Sequence, residues 1–261
     1  MHAYNQDLYI LRQSKCESFE APFLYLIFGD QRALLLDTGA KPGVNVYATV
    51  NAVIQTWLQT SGMSSIPLIV AHTHGHGDHV QGDPSFVGKP GVQQIVGTTQ
   101  QEIEQFWGFQ NYPNDIVTFD LGNRVLDVMG TPGHHPVHIT VYDRETHLML
   151  TGDIVYPGHL FVFSPLHWPD FVASLQRMLT FASQNPVEWV VGCHIETSPV
   201  PGQTYKWSEP AHPTEHVLQL GPRSLGKILR AAVEQGNDPE CTIYDNFVIH
   251  PVYKCGITWN G

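Results

Sequence analysis

Residues 67–82, PLIVAHTHGHGDHVQG, constrain this chain more than any other stretch. The short apolar run from Pro67 to Ala71 predicts a buried strand. It breaks into His72, His74, His76, Asp78 and His79, threaded by Gly75 and Gly77. Imidazoles and a carboxylate at this density are costly to hold together unless a cation lies among them. Neutral imidazole is a good ligand for zinc, iron and related ions, so the loop predicts a metal centre. The two glycines are expected to let the backbone bend so that neighbouring side chains converge. A buried strand feeding a ligand-rich loop is also how α/β folds place their sites.

Other ligand-type residues stand at the ends of other apolar runs. Asp37 ends LLLD, His134 follows RVLDVMGTPG, Asp153 ends HLMLTGD and His194 ends EWVVGCH. Each sits where a predicted strand gives way to a loop, so all could project to one edge. The intervening segments predict strands in DLYILRQS, PFLYLIFGD and RALLLDTGA, then a helix over 45–60 closed by Gly62. A short helix is expected within 98–109. IVTFDLG pairs with RVLDVMGT across Gly122-Asn123, and HITVYD with HLMLTGD across Arg144-Glu145-Thr146. Helices over 169–184 and near 222–235 follow, with VEWVVGCH between them and a last strand-like segment, CTIYDNFVIHPV. Strands, helix and strand thus occur twice over. The order predicts an α/β fold, one domain over residues 1–261, with two packed sheets, helices outside and the site where the halves meet.

Composition narrows the function. With 13 Lys+Arg against 24 Asp+Glu, the net charge of −11 offers little attraction to phosphate backbones, so nucleic acid is not an expected partner. No apolar run approaches a membrane-spanning length. The start lacks a basic head followed by an apolar block, so no signal peptide and a cytoplasmic location are expected. Cys16, Cys193, Cys241 and Cys255 have no CxxC spacing, and all four are expected to be reduced. Cys193 stands beside His194 but within a buried strand, and is read as packing.

The ordered elements together resemble the metallo-β-lactamase superfamily. Its His-x-His-x-Asp-His pattern matches His74 to His79, and its first-strand aspartate matches Asp37. Its TPGH, TGD and final histidine elements match Thr131–His134, Thr151–Asp153 and His194. The resemblance implies a four-layer αβ/βα sandwich of two mixed sheets with helices outside. It implies His74, His76 and His134 around one metal, Asp78, His79 and His194 around a second, and Asp153 bridging both. Asp37 and His138 would support the ligands from behind. His72, outside the family register, is expected to pack or support. Two Zn2+ per chain are implied, with iron or manganese possible on the same ligand types.

The implied reaction is hydrolysis of a small ester, lactone or thioester by a metal-bridging hydroxide, with Asp78 and Asp153 as the catalytic carboxylates. A β-lactam hydrolase, an iron-dependent sulfur dioxygenase and a non-catalytic binding protein are alternatives on this fold. The substrate is a small molecule, and the centre's net positive charge is expected to favour a carbonyl or nearby carboxylate. His135, Tyr156, His159, Phe161, Trp107 and Phe109 are candidate pocket walls. Glyoxalase II-like thioesterases often continue with GCGR after TGD; here Tyr156-Pro157-Gly158-His159 follows. His212-Pro213-Thr214-Glu215-His216 matches an H-x-x-E-H metalloprotease pattern, but Pro213 pushes His212 out of helical geometry, so it is read as a capped helix start.

Overall fold

The computed structural model describes residues 1–258. Alternation along the strands explains its layers. In β3 (Phe23–Phe28), Tyr25 and Ile27 face one way while Leu24, Leu26 and Phe28 face the other. The same split runs through β4 (Ala33–Leu36) and β5 (Leu68–Ala71). Both faces of these strands are apolar, so the sheet must be covered on both sides. With β1 (His2–Ala3), β2 (Leu8–Arg12) and β6 (Val92–Ile95) they form a six-stranded sheet in chain order, antiparallel through β4 and parallel from β4 to β6.

A second six-stranded sheet runs β13-β12-β10-β9-β8-β7. Its strands are β7 (Ile116–Asp120), β8 (Val125–Gly130), β9 (Ile139–Asp143), β10 (Leu148–Leu150), β12 (Trp189–Val191) and β13 (Gln219–Leu220). Leu126, Val128, Val141, Leu150 and Val191 meet Tyr25, Ile27, Leu36 and Ile69 in the core between the sheets. Helix α1 (Val46–Ser61) covers the first sheet with Val50, Val53, Ile54 and Trp57. Helices α4 (Trp168–Gln184) and α5 (Arg223–Glu234) cover the second through Phe171, Leu175, Met178, Leu225 and Ile228. Burying each such side chain contributes about 1.5–3 kcal/mol. The result is the expected αβ/βα sandwich of mixed sheets.

Shorter elements complete it. These are α2 (Gly77–Val80), α3 (Gln100–Trp107) and α6 (Val252–Cys255), with a small sheet β11-β15-β14 formed by β11 (His159–Val162), β14 (Thr242–Ile243) and β15 (Val248–Pro251). The structure corrects several expectations. CTIYDNFVIHPV is a hairpin of two strands rather than one, and its second strand pairs with a further strand over His159–Val162. Cys241 and Cys255 are joined as a disulfide, whereas Cys16 and Cys193 are free. The hairpin and the turn of α6 bring the two residues together, which sequence spacing could not show. No described helix is long and apolar enough to cross a membrane.

Candidate metal centre

Parallel registers place most of the candidate ligand residues. Leu36 lies beside Ala71, so Asp37 and the His72–His79 loop leave adjacent strand ends. Leu150 lies beside Val191, so Asp153 and His194 each follow their strand by three residues. The two halves are stitched where the loops meet. Ile139 donates its N–H to Thr73 O at 2.8 Å, and His74 bridges to His138. His134 comes from the loop between β8 and β9. Gly75 and Gly77 do not adopt left-handed backbone. They supply space instead: a Cβ on Gly75 would lie 2.9 Å from Thr98 Oγ1, and one on Gly77 2.8 Å from Gln81 Nε2.

Two groups of donors result. In the first, His74 Nε2 lies 3.0 Å from His76 Nδ1, which lies 2.9 Å from His134 Nε2. In the second, Asp78 Oδ2 lies 3.1 Å from both His79 Nε2 and His194 Nε2. Asp153 Oδ2 stands between the groups, 3.3 Å from His79 Nε2, 3.4 Å from His194 Nε2 and 3.6 Å from His134 Nε2. Its Oδ1 is buried without a hydrogen-bond partner.

Supporting bonds fix the imidazoles. His79 Nδ1 meets Asp37 Oδ2 at 2.9 Å, His134 Nδ1 donates to Phe161 O at 3.0 Å and His194 Nδ1 to Glu20 O at 3.0 Å. With those nitrogens donating, the opposite Nε2 lone pairs face the centre. Thr73 Oγ1 links Asp37 to His74 Nδ1. His138 binds Thr131 Oγ1 through Nδ1 and accepts from Asp153 N at 3.3 Å through Nε2. His72 turns away from the cluster, to Asp83 Oδ1 at 2.8 Å and Val96 O at 3.1 Å.

The donor set fits metal ions. Burial holds the His74 and His134 imidazoles neutral, the latter at about 3, so they keep a lone pair to donate. Burial also opposes charge on His79 and His194, but Asp78 and Asp153 outweigh it and push both imidazole pKa values well up. Positive charge therefore belongs at that point. A cation would supply it and would satisfy the orphaned carboxylate oxygen and the crowded nitrogens.

A cavity of about 80 Å³ opens over the centre. Tyr156 and Phe161 line it, as do Glu20, Phe163, Glu196, Trp207 and Ile257, which sequence reasoning missed. Burial first, and then the Asp78 carboxylate, push the Glu20 carboxyl up to about 7. Glu20 and Glu196 place two carboxyl groups in this lining. Other expected walls lie elsewhere. Trp107 and Phe109 are buried in the core between the sheets. His159 is buried behind Phe161, its Nδ1 2.9 Å from His250 Nδ1. His135 flanks His76, ring to ring at 4.9 Å, without lining the cavity. The segment at 212–216 is irregular rather than a helix start. Glu215 there binds Arg12, and His212 stacks on Tyr205.

The Metallo-beta-lactamase superfamily model matches residues 19–194, which carry every donor of both groups. The chain belongs to the metallo-β-lactamase superfamily. Among curated relatives it is 25% identical over 207 residues to the acyl-coenzyme A thioesterase MBLAC2 of Gallus gallus, covering 69% of this chain and 74% of the relative. It is 28% identical over 148 residues to the hydroxyacylglutathione hydrolase of Chelativorans sp., covering 56% and 53%. A metallo-beta-lactamase structure from Pontibacter korlensis has a TM-score of 0.55 at 16% identity, covering 90% of this chain and 98% of that one. ETHE1 from Myxococcus xanthus gives 0.56 at 16%, covering 88% and 87%. These two likenesses concern the fold. As a member of this superfamily with the full donor set, the chain is a metal-dependent hydrolase.

Proposed function

We propose that the chain hydrolyses a small acyl thioester. In this reading His74, His76 and His134 hold one zinc ion, Asp78, His79 and His194 a second, and Asp153 bridges them. The observation that carries it is Asp153: one carboxylate oxygen lies within 3.6 Å of nitrogens from both groups while the other is buried and unpaired. Bound ions supply a Lewis acid and lower the pKa of coordinated water towards neutrality. Asp37, Thr73 and His138 hold the ligands and Asp153 in place, and Tyr156, Phe161, Phe163 and Trp207 offer apolar walls to an acyl group.

Two considerations favour a thioester over an ester, lactone or amide. A thiolate departs with little protonation. Two relatives are, by name, an acyl-coenzyme A thioesterase and a hydroxyacylglutathione hydrolase. Glutathione in particular is disfavoured, since Tyr156–His159 departs from the glyoxalase II pattern.

The test is metal analysis beside turnover of short-chain thioesters, lactones, phosphodiesters and β-lactams. Two metals per chain and fastest thioester turnover are expected. Asp153→Ala should drop metal content towards one ion and abolish hydrolysis. A variant that kept two metals and full activity would overturn the bridging role, and preferred β-lactam turnover would overturn the substrate class.

A further inference from the structure

A second cavity, of about 490 Å³, lies between α5 and the tip of the β14–β15 hairpin. It shares no lining residue with the cavity over the metal centre. Lys227, Arg230 and Glu234 line it from α5, and Tyr244, Asp245 and Phe247 from the hairpin tip. Sites for small organic ligands have volumes on the order of 300–1,000 Å³, so this one has the room.

The two cations are free to bind. In a chain of net charge −11, Arg12, Lys41, Arg124, Arg144 and Lys254 each pair with a carboxylate. Lys227 and Arg230 are exposed and have no side-chain partner among the described residues. With Arg223 they form one stripe of the helix. Helix stability does not account for the pattern. Arg223 stands in the first turn and Glu234 in the last, each at the end where the helix dipole disfavours its charge.

A guanidinium and an ammonium side by side on a helix suit a phosphate, the guanidinium by a two-point fork. The rest of the lining suits what a nucleotide carries besides its phosphate. Tyr244 stacks on the buried Phe247, with ring centroids 4.6 Å apart and planes 11° from parallel. Phe247 thus backs the Tyr244 ring as a flat platform for a base. Glu234 and Asp245 have no ion-pair partner among the described residues, and carboxylates accept hydrogen bonds from ribose hydroxyls. A bare inorganic anion gains nothing from those two carboxylates, whereas a nucleotide uses them. We propose that this cavity binds a nucleoside monophosphate. Its phosphate lies on Lys227 and Arg230, its base against Tyr244 and its ribose towards Glu234 and Asp245. The site goes beyond the thioester reading and does not rest on it.

Calorimetric titration of the metal-loaded protein with adenosine monophosphate tests the proposal without reference to turnover. Saturable binding is expected, with adenosine and inorganic phosphate each about tenfold weaker or worse. K227Q/R230Q should weaken the nucleotide by about tenfold or more. Both side chains are exposed and unpaired, so the ligand-free variant should melt with the wild type. Tyr244→Ala should weaken the nucleotide by a similar factor through lost stacking. Asp153→Ala should leave nucleotide binding intact, since the two cavities share no residue. Absence of saturable binding to the wild type overturns the proposal, and that result depends on no variant's folding. Binding lost in Asp153→Ala but kept in K227Q/R230Q belongs to the metal centre and overturns it as well. Inorganic phosphate held as tightly as the nucleotide through the same two cations overturns the nucleoside assignment.

Discussion

The Asp37 carboxylate meets His79 Nδ1 at 2.9 Å while also accepting Thr73 N–H at 2.8 Å, and both acid and imidazole are fully buried. Asp37 itself sits at φ 69°, a left-handed conformation that aspartate and asparagine tolerate better than most residues. Asp37→Asn therefore keeps the backbone while weakening the hold on His79. Loss of such a supporting partner typically costs ten- to a hundredfold in metal affinity. A chelator competition titration should show a loss of that size. Unchanged affinity would mean that Asp37 supports the fold and not the ligand.

Gly152 packs tightly just before Asp153. It has φ 51°, and a Cβ there would lie 2.7 Å from His138 Nε2 and 2.8 Å from Thr73 Cβ. Gly152→Ala should destabilise the protein by about 1–3 kcal/mol through backbone strain and overpacking. Both displaced residues touch the ligand set, so metal affinity should fall in parallel. Urea unfolding and metal titration of the variant check this together. A stability loss with intact affinity would separate Gly152 from the centre.

The donors were legible in the sequence for a structural reason. Apart from His134, which follows the antiparallel strand β8, they follow the ends of parallel strands, where register decides which side chains meet. Leu36 beside Ala71 and Leu150 beside Val191 bring four motif segments to one edge. The cavity wall has no such rule. Glu20, Trp207 and Ile257 come from irregular segments, and nothing local marks where those segments fold back. Trp107 and Phe109 were misplaced because an aromatic cluster after a short helix suits a pocket or a core equally. The Cys241–Cys255 pairing depends on a hairpin that the sequence read as a single strand.

Trp107 tests that correction. Its ring packs against Phe106 and Phe119 at 4.8 and 5.0 Å, within the core between the sheets. Trp107→Ala should cost about 3–5 kcal/mol by leaving a large cavity. Thermal unfolding should report that loss, while KM for the best substrate stays within about twofold of wild type. A KM shift of tenfold with unchanged melting would return Trp107 to the pocket.

Glu215 gives a pH dependence. Burial pushes its carboxyl up, but hydrogen bonds from Arg12 and His212 more than offset this and hold it at about 2, below its ordinary 4.5. A carboxyl depressed in the folded state contributes stability that is fully present above the unfolded value. That contribution is lost as pH falls through the folded value. Its window here runs from about pH 4.5 down to about pH 2. Urea midpoints for wild type and Glu215→Gln should differ most above pH 5 and converge as the pH approaches 2. Parallel curves across that window would show that the Arg12–Glu215 pair contributes no charge-dependent stability. They would leave the 212–216 segment held by packing, such as the His212 stack on Tyr205 at 4.1 Å, rather than by the ion pair.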